Sequence, residues 1–138
     1  MIPAIPLITA AAAGVLLLLQ TLLMLTAALV RRGVRQSLGD TGEHPGLTRA
    51  VRRHGNLAEN AAIFLIGSAL LEMLGGDRLW VEGLCGAFIF ARLMHAFGLS
   101  LKNTVNPFRI FGVILTVAVD ATLAVTLIRI AARIYLSK

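Results

Sequence analysis

The chain has 138 residues, 57% of them hydrophobic and only 14% charged, with a formal net charge of +6. Soluble domains carry about 25% charged residues, so this composition excludes an ordinary soluble domain. The length allows one domain, residues 1–138, and the long apolar runs predict an all-α integral membrane protein, because open sheets cannot cross lipid. The basic residues gather between the apolar runs, which argues against nucleic-acid binding.

Four apolar segments predict four membrane-spanning helices. The predicted spans cover residues 7–30, 52–74, 79–101 and 107–135. Gly75 and Gly76 should end the second helix, and the short turn after them makes the second and third helices antiparallel neighbours. Asn106 and Pro107 are a favourable N-cap and first residue for the fourth helix. The expected fold is therefore an antiparallel four-helix membrane bundle.

Positive charges are concentrated on one side of these spans. The first loop and the third connection contain Arg31, Arg32, Arg35, Arg49, Arg52, Arg53, Lys102 and Arg109. The positive-inside rule predicts a multi-pass protein with both larger loops in the cytoplasm and both termini outside. No Lys or Arg precedes Arg31, which does not fit a secretory signal and indicates an uncleaved first span. The expected location is the plasma membrane, which is the inner membrane in a bacterium.

The start of the second span is unusually polar for a membrane helix. It reads "RAVRRHGNLAENAAIFL", residues 49–65. One third of the helix surface should carry Arg49, Arg52, Arg53, Asn56, Glu59, Asn60 and Ile63, whereas His54 and Gly55 fall on other faces. A charged group facing lipid costs about 2.5–3.5 kcal/mol near the bilayer centre. This polar face should therefore meet other helices or a water-filled cavity.

The other predicted helices carry polar groups at the same depth. These residues are Arg31, Arg32, Arg92, His95 and Arg109. Because the cations outnumber the carboxylate of Glu59, one interpretation is a pocket for an anion, and arginine forks suit carboxylates. The alternative is a structural hydrogen-bond network through Asn56, Glu59 and Asn60 that holds the bundle together.

Asp120 lies close to the middle of the fourth predicted span, where an ionisable group suggests function. Arg92 is its nearest plausible partner by depth, so a structural pair is the preferred interpretation and proton-coupled transport is the alternative. Cys85 lies in an apolar run and is expected to pack in the core. The histidines lack the spacing of metal ligands, so no metal is predicted.

Three segments together resemble the MAPEG family, the membrane-associated proteins of eicosanoid and glutathione metabolism, which include the microsomal glutathione transferases. The segments are "RAVRRHGNLAENAAIFL", "ARLMHAFGL" and "NPFRIFG", and the resemblance covers nearly the whole chain. It implies a homotrimer of four-helix bundles. It also implies glutathione as co-substrate, bound between neighbouring subunits towards the cytoplasmic side.

The resemblance further implies roles for individual residues. The implied glutathione-binding residues are Arg31, Arg32, Arg52, Asn56, Glu59 and His95. Arg109 would hold the sulfur as thiolate, because a nearby cation lowers the pKa of a thiol. The leading hypothesis is a glutathione-dependent transferase or peroxidase that detoxifies lipophilic electrophiles. The alternatives are a noncatalytic membrane binder of an acidic thiol or lipid head group, and a small proton-coupled exporter using Asp120.

The chain departs from eukaryotic members of that family near the expected pocket. Gly55 stands where those members often have arginine, and Leu99 where they often have tyrosine. Ile110 and Val113 replace a serine and a tyrosine of the prostaglandin-E synthases. These differences argue against a specialised eicosanoid synthase and favour a bacterial-type member.

Overall fold

The computed structural model describes residues 5–39, 41–103 and 105–137, and these form four helices without any strand. The helices are α1 (Leu7–Val34), α2 (Pro45–Met73), α3 (Arg78–Ser100) and α4 (Pro107–Leu136). α1, α3 and α4 are each long and apolar enough to cross a membrane. The prediction of an all-α bundle of four helices is confirmed.

The largest difference from the predicted spans is at the beginning of α2. This helix begins at Pro45, not at residue 52. Proline is favourable there because the backbone N–H of the first helical residue has no acceptor within the helix, so its absence costs nothing. The basic segment around Arg49 and Arg52 is therefore helical and continuous with the apolar segment that follows it. The polar residues of this segment also explain why α2 is less apolar than α1, α3 and α4, the three helices that meet the length and hydropathy expected of a membrane span.

The core lies where α2 and α3 face each other. The rings of Phe64 and Phe88 stack with their centroids 3.9 Å apart, and both side chains are fully buried. Leu16 of α1 and Leu123 of α4 belong to the same buried cluster, so all four helices contribute to one core. The outward faces of α1 and α4 expose many leucine, isoleucine and valine side chains, as expected of surfaces that face lipid.

Two glycines bring α3 and α4 into direct backbone contact. A Cβ atom at Gly98 would lie 2.6 Å from the backbone nitrogen of Arg109, and one at Gly112 would lie 2.7 Å from that of His95. Any larger residue at either position would push the helices apart. The close approach places His95 of α3 beside Arg109 in the first turn of α4.

Asn106 fixes the beginning of α4 against the end of α3. Its Oδ1 atom accepts the backbone N–H of Arg109 at 3.1 Å, so the predicted N-cap is confirmed. Its Nδ2 atom donates to the carbonyl oxygen of Gly98 at 2.8 Å. The first turn of α4 is thus held by a side chain that is itself anchored on α3.

At the other end of the bundle, Glu72 of α2 caps the beginning of α1. Its carboxylate accepts the backbone N–H groups of Ile8 and Thr9, both at 2.9 Å, and the hydroxyl of Thr9 at 2.9 Å. α1 has no acidic residue in its own first turn and no side-chain cap of its own. The carboxylate therefore satisfies otherwise unpaired donors and opposes the positive end of the helix dipole.

Replacing Glu72 by alanine should lower the free energy of unfolding by about 1–2 kcal/mol, because the first N–H groups of α1 lose their acceptor. Thermal unfolding of the detergent-solubilised protein, followed by circular dichroism, measures this change. Glu82→Gln is the matched control, since Glu82 pairs only with the exposed Arg78 and should be nearly neutral. Equal unfolding temperatures for the two variants would contradict the capping role.

Candidate functional site

A cavity of about 620 Å³ lies at the end of the bundle where α2 begins, α3 ends and α4 begins. Its lining residues are Thr48, Arg49, Val51, Arg52, Gly55, Asn56, Glu59, His95, Leu99 and Arg109. Three of these side chains are guanidinium groups and one is a carboxylate. The excess of positive charge suits an anionic ligand, and arginine binds carboxylates through paired hydrogen bonds.

Most of the residues predicted to bind a ligand meet in this cavity. Arg52, Asn56 and Glu59 come from α2, His95 from α3 and Arg109 from α4. They belong to three helices, and depth counting alone had placed them at one level. The structure adds that they line the same cavity.

Arg31 and Arg32 do not line this cavity. They lie in the last turn of α1, and the Nη1 atom of Arg31 donates to the carbonyl oxygen of Gly39 at 2.7 Å. The guanidinium group of Arg31 thus folds over the segment that follows α1, because the helix ends there and leaves carbonyl groups within its reach.

The face of α2 that meets the cavity differs in part from the predicted one. Gly55, expected on another face, lies in the wall, whereas Arg53, Asn60 and Ile63 do not. Ile63 is 76% exposed, and Asn60 donates instead to a backbone carbonyl one turn earlier, at 2.7 Å. The wall on α2 thus contains Arg49, Arg52, Asn56 and Glu59 of the predicted face, together with Gly55.

Arg92 connects three helices beneath the cavity. Its side chain is 4% exposed and donates to the Oδ1 atom of Asn56 at 2.6 Å, to the carbonyl oxygen of Gly112 at 3.3 Å and to the hydroxyl of Thr116. The guanidinium also lies 5.7 Å from the ring centroid of Phe88. Because the Oδ1 atom of Asn56 already accepts a hydrogen bond from Arg92, the side-chain NH₂ group of Asn56 can donate to a ligand.

A model of the MAPEG family matches residues 9–129. The chain belongs to the MAPEG family. Comparison with curated proteins and with solved structures gave no match. The family match begins in α1 and ends in α4, so it includes all the residues that line the cavity. Membership and the apolar helices together establish an integral, multi-pass membrane protein and confirm the resemblance seen in the sequence.

Asp120 of this MAPEG protein is not the hydrogen-bonded partner of Arg92. The charges of the two residues interact electrostatically, but the hydrogen bonds of the Arg92 guanidinium go to Asn56, Gly112 and Thr116. Within the described ranges the recorded ion pair joins Arg78 and Glu82, on the surface. Asp120 is thus an electrostatic neighbour of Arg92, and Asn56 is one of its hydrogen-bond acceptors.

Sequence reasoning missed two kinds of residue in this MAPEG protein. Gly98 and Gly112 set the distance between α3 and α4, and their signal is only a small residue at a helix contact. Thr116 offered no signal, since threonine is common in membrane helices.

In the part of the chain that the structure describes, no three His, Cys, Asp or Glu side chains converge as metal ligands would. Cys85 is buried in the core beside Ser68, with 3.2 Å between Sγ and Oγ.

Proposed function

We propose that this MAPEG protein binds glutathione in the cavity between α2, α3 and α4 and uses it as a transferase or peroxidase on lipophilic electrophiles. The observation that carries the proposal is the convergence of Arg49, Arg52 and Arg109 with Asn56 and Glu59 in one cavity of a membrane bundle. Membership of a family concerned with glutathione metabolism supports this choice of ligand over other anions.

The charges of the cavity match those of glutathione group by group. Glutathione carries two carboxylates and one ammonium group, together with a thiol. Arg49 and Arg52 can each take a carboxylate, Glu59 can take the ammonium group, and Asn56 can donate to a peptide carbonyl. A volume of about 620 Å³ lies within the range of about 300–1,000 Å³ that is typical of small-molecule sites.

Arg109 lies at the boundary between polar and apolar space. It lines the cavity and also borders a groove of about 350 Å³ on α4 that is otherwise lined by Val105, Ile110, Val113 and Ile114. Its guanidinium, and the positive end of the α4 dipole, would lower the pKa of a bound thiol and increase the thiolate fraction. The thiolate sulfur would bond to the electrophilic carbon, and the leaving group would depart with its bonding electrons.

The same proposal includes the assembly and orientation. A homotrimer would place the end of one subunit's α1 beside the cavity of the next, where Arg31 or Arg32 could add a cation that a single chain does not supply. The positive-inside rule places the cavity on the cytoplasmic side, where glutathione is supplied. The lipophilic partner would enter from the bilayer, along the apolar side of Arg109.

Glutathione and S-hexylglutathione should both raise the unfolding temperature of the detergent-solubilised protein, because a ligand that binds only the folded state stabilises it by about 2.7 kcal/mol at a concentration of 100 Kd. Arg52→Gln should remove most of this shift. Arg53→Gln is the matched control, since Arg53 is adjacent to Arg52 in the sequence but does not line the cavity.

Three results of this titration lead to different conclusions. An equal shift with sulfate or glutarate would contradict selectivity for glutathione. The absence of any shift with glutathione would contradict the proposed ligand. Binding without turnover of an electrophile would assign the chain a noncatalytic binding role.

A further inference from the structure

A second feature lies at the end of the bundle opposite to the glutathione cavity, between the beginning of α3 and the end of α4. It has a recess of about 270 Å³ whose charged lining residues are Asp77, Arg129 and Arg133, and whose other lining residues are Leu71, Gly76, Trp80, Thr126 and Ile130. Beside it runs an apolar groove of about 240 Å³, lined by Trp80, Gly83, Leu84, Ala118, Val119 and Thr122. Trp80 belongs to both linings, so the recess and the groove are adjacent.

The recess carries an excess of positive charge. Arg129 and Arg133 are one helical turn apart on the same face of α4. Among the described residues neither guanidinium group has a recorded ion pair or hydrogen bond. Asp77 also lines the recess, but its carboxylate accepts the backbone N–H of Trp80 at 2.9 Å and caps α3. The recess therefore contains two cations, Arg129 and Arg133, and one carboxylate, Asp77, which already accepts a hydrogen bond as the cap of α3.

The position of the recess matches the membrane interface. Trp80 is 48% exposed in the first turn of α3, and tryptophan is enriched at the level of the lipid head groups. The apolar groove continues from Trp80 towards the middle of α3 and α4, which is the direction of the hydrocarbon. Polar and apolar parts thus follow each other in the order of a lipid head group and its acyl chain.

We infer that this crevice binds an anionic phospholipid. The phosphate lies between Arg129 and Arg133, and one acyl chain lies in the groove against Gly83, Leu84 and Val119. A pair of arginines favours an anionic head group, because guanidinium groups bind phosphate through paired, charge-assisted hydrogen bonds. A choline head group is disfavoured, because its own cation would approach the two guanidinium groups. The site is separate from the glutathione cavity and does not depend on the proposed activity.

Trp80 gives a direct measurement, because it is the single tryptophan of the chain. Phosphatidylglycerol with brominated acyl chains, added to the detergent-solubilised protein, should quench Trp80 fluorescence with an apparent Kd about tenfold lower than brominated phosphatidylcholine, a preference of about 1.4 kcal/mol. Inorganic phosphate at millimolar concentration should not compete, since it lacks the acyl chain. Competition by phosphate alone would replace the lipid with a free anion and overturn the inference.

Two variants test the two halves of the crevice separately. The double variant R129Q/R133Q should abolish the preference for phosphatidylglycerol, whereas R78Q, at the same end of the bundle but paired with Glu82, should keep it. Gly83→Leu should weaken quenching by both lipids, because a Cβ atom at Gly83 meets no other atom within 4 Å and the leucine can fill the groove. Equal quenching by the two lipids in the unmodified protein, or a preference that survives in R129Q/R133Q, would overturn the inference.

Discussion

Replacing Arg109 by alanine should lower the rate of glutathione conjugation to a chlorodinitrobenzene-type electrophile by about a hundredfold or more at neutral pH, a typical loss for an electrostatic partner of a reacting anion. The variant should still fold, because alanine keeps the backbone N–H that donates to Asn106 and caps α4. Initial rates at saturating glutathione measure the loss. Unchanged turnover would contradict the thiolate role.

The pH dependence of that rate separates thiolate stabilisation from a structural effect. In the proposed mechanism Arg109 would lower the pKa of the bound thiol, so the rate of the unmodified protein should level off at a lower pH than that of Arg109→Ala. The difference between the two rates should therefore shrink as the pH rises towards the pKa of free glutathione. Arg109→Lys keeps the positive charge and should retain the early plateau. A rate loss that is equal at every pH would assign Arg109 to positioning and not to thiolate stabilisation.

Replacing Arg92 by leucine should destabilise the bundle by about 3 kcal/mol or more and abolish glutathione binding in the fraction that remains folded. The substitution leaves Asn56, Thr116 and the carbonyl group of Gly112 without their common donor. Asn56 then loses the contact that orients its amide group towards the cavity. Thermal unfolding and glutathione titration of the same preparation measure both effects.

Thr116→Val is the matched control for this network. It removes one acceptor of Arg92 but keeps the contact with Asn56, so it should cost only about 1 kcal/mol of stability and leave the glutathione Kd unchanged. If Arg92→Leu kept its full affinity for glutathione, Arg92 would hold the helices together without orienting Asn56.

The depth of the candidate site could be predicted from the sequence, because a helix has a fixed rise and a bilayer has a nearly fixed thickness. Counting along the spans placed Asn56, His95 and Arg109 at one level, and the structure brings them into one cavity. The direction of each helix face could not be predicted in the same way. Gly55 lines the cavity together with His95 of α3 and Arg109 of α4, and these two helices can lie so close to each other because of Gly98 and Gly112.

The hydrogen-bond partners of the buried polar groups also could not be predicted from the sequence. Depth paired Arg92 with Asp120, and their charges do interact, but depth gave no indication that the side chain of Arg92 also donates a hydrogen bond to Asn56. Glu72 gave no pattern at all, because the N–H groups that it accepts belong to a helix far away in the sequence. Such contacts depend on which helices are neighbours, and a periodicity within one helix carries no information about that.

The cap that Glu72 forms on α1 has a consequence for membrane insertion. Ile8 and Glu72 are separated by 64 positions in the sequence, so the carboxylate leaves the ribosome only after the whole of α1 and nearly all of α2 have been made. Until then the first N–H groups of α1 must be hydrated. The smallest segment that can enter the bilayer with those groups satisfied by protein is therefore the α1–α2 hairpin, and biogenesis should proceed in paired helices.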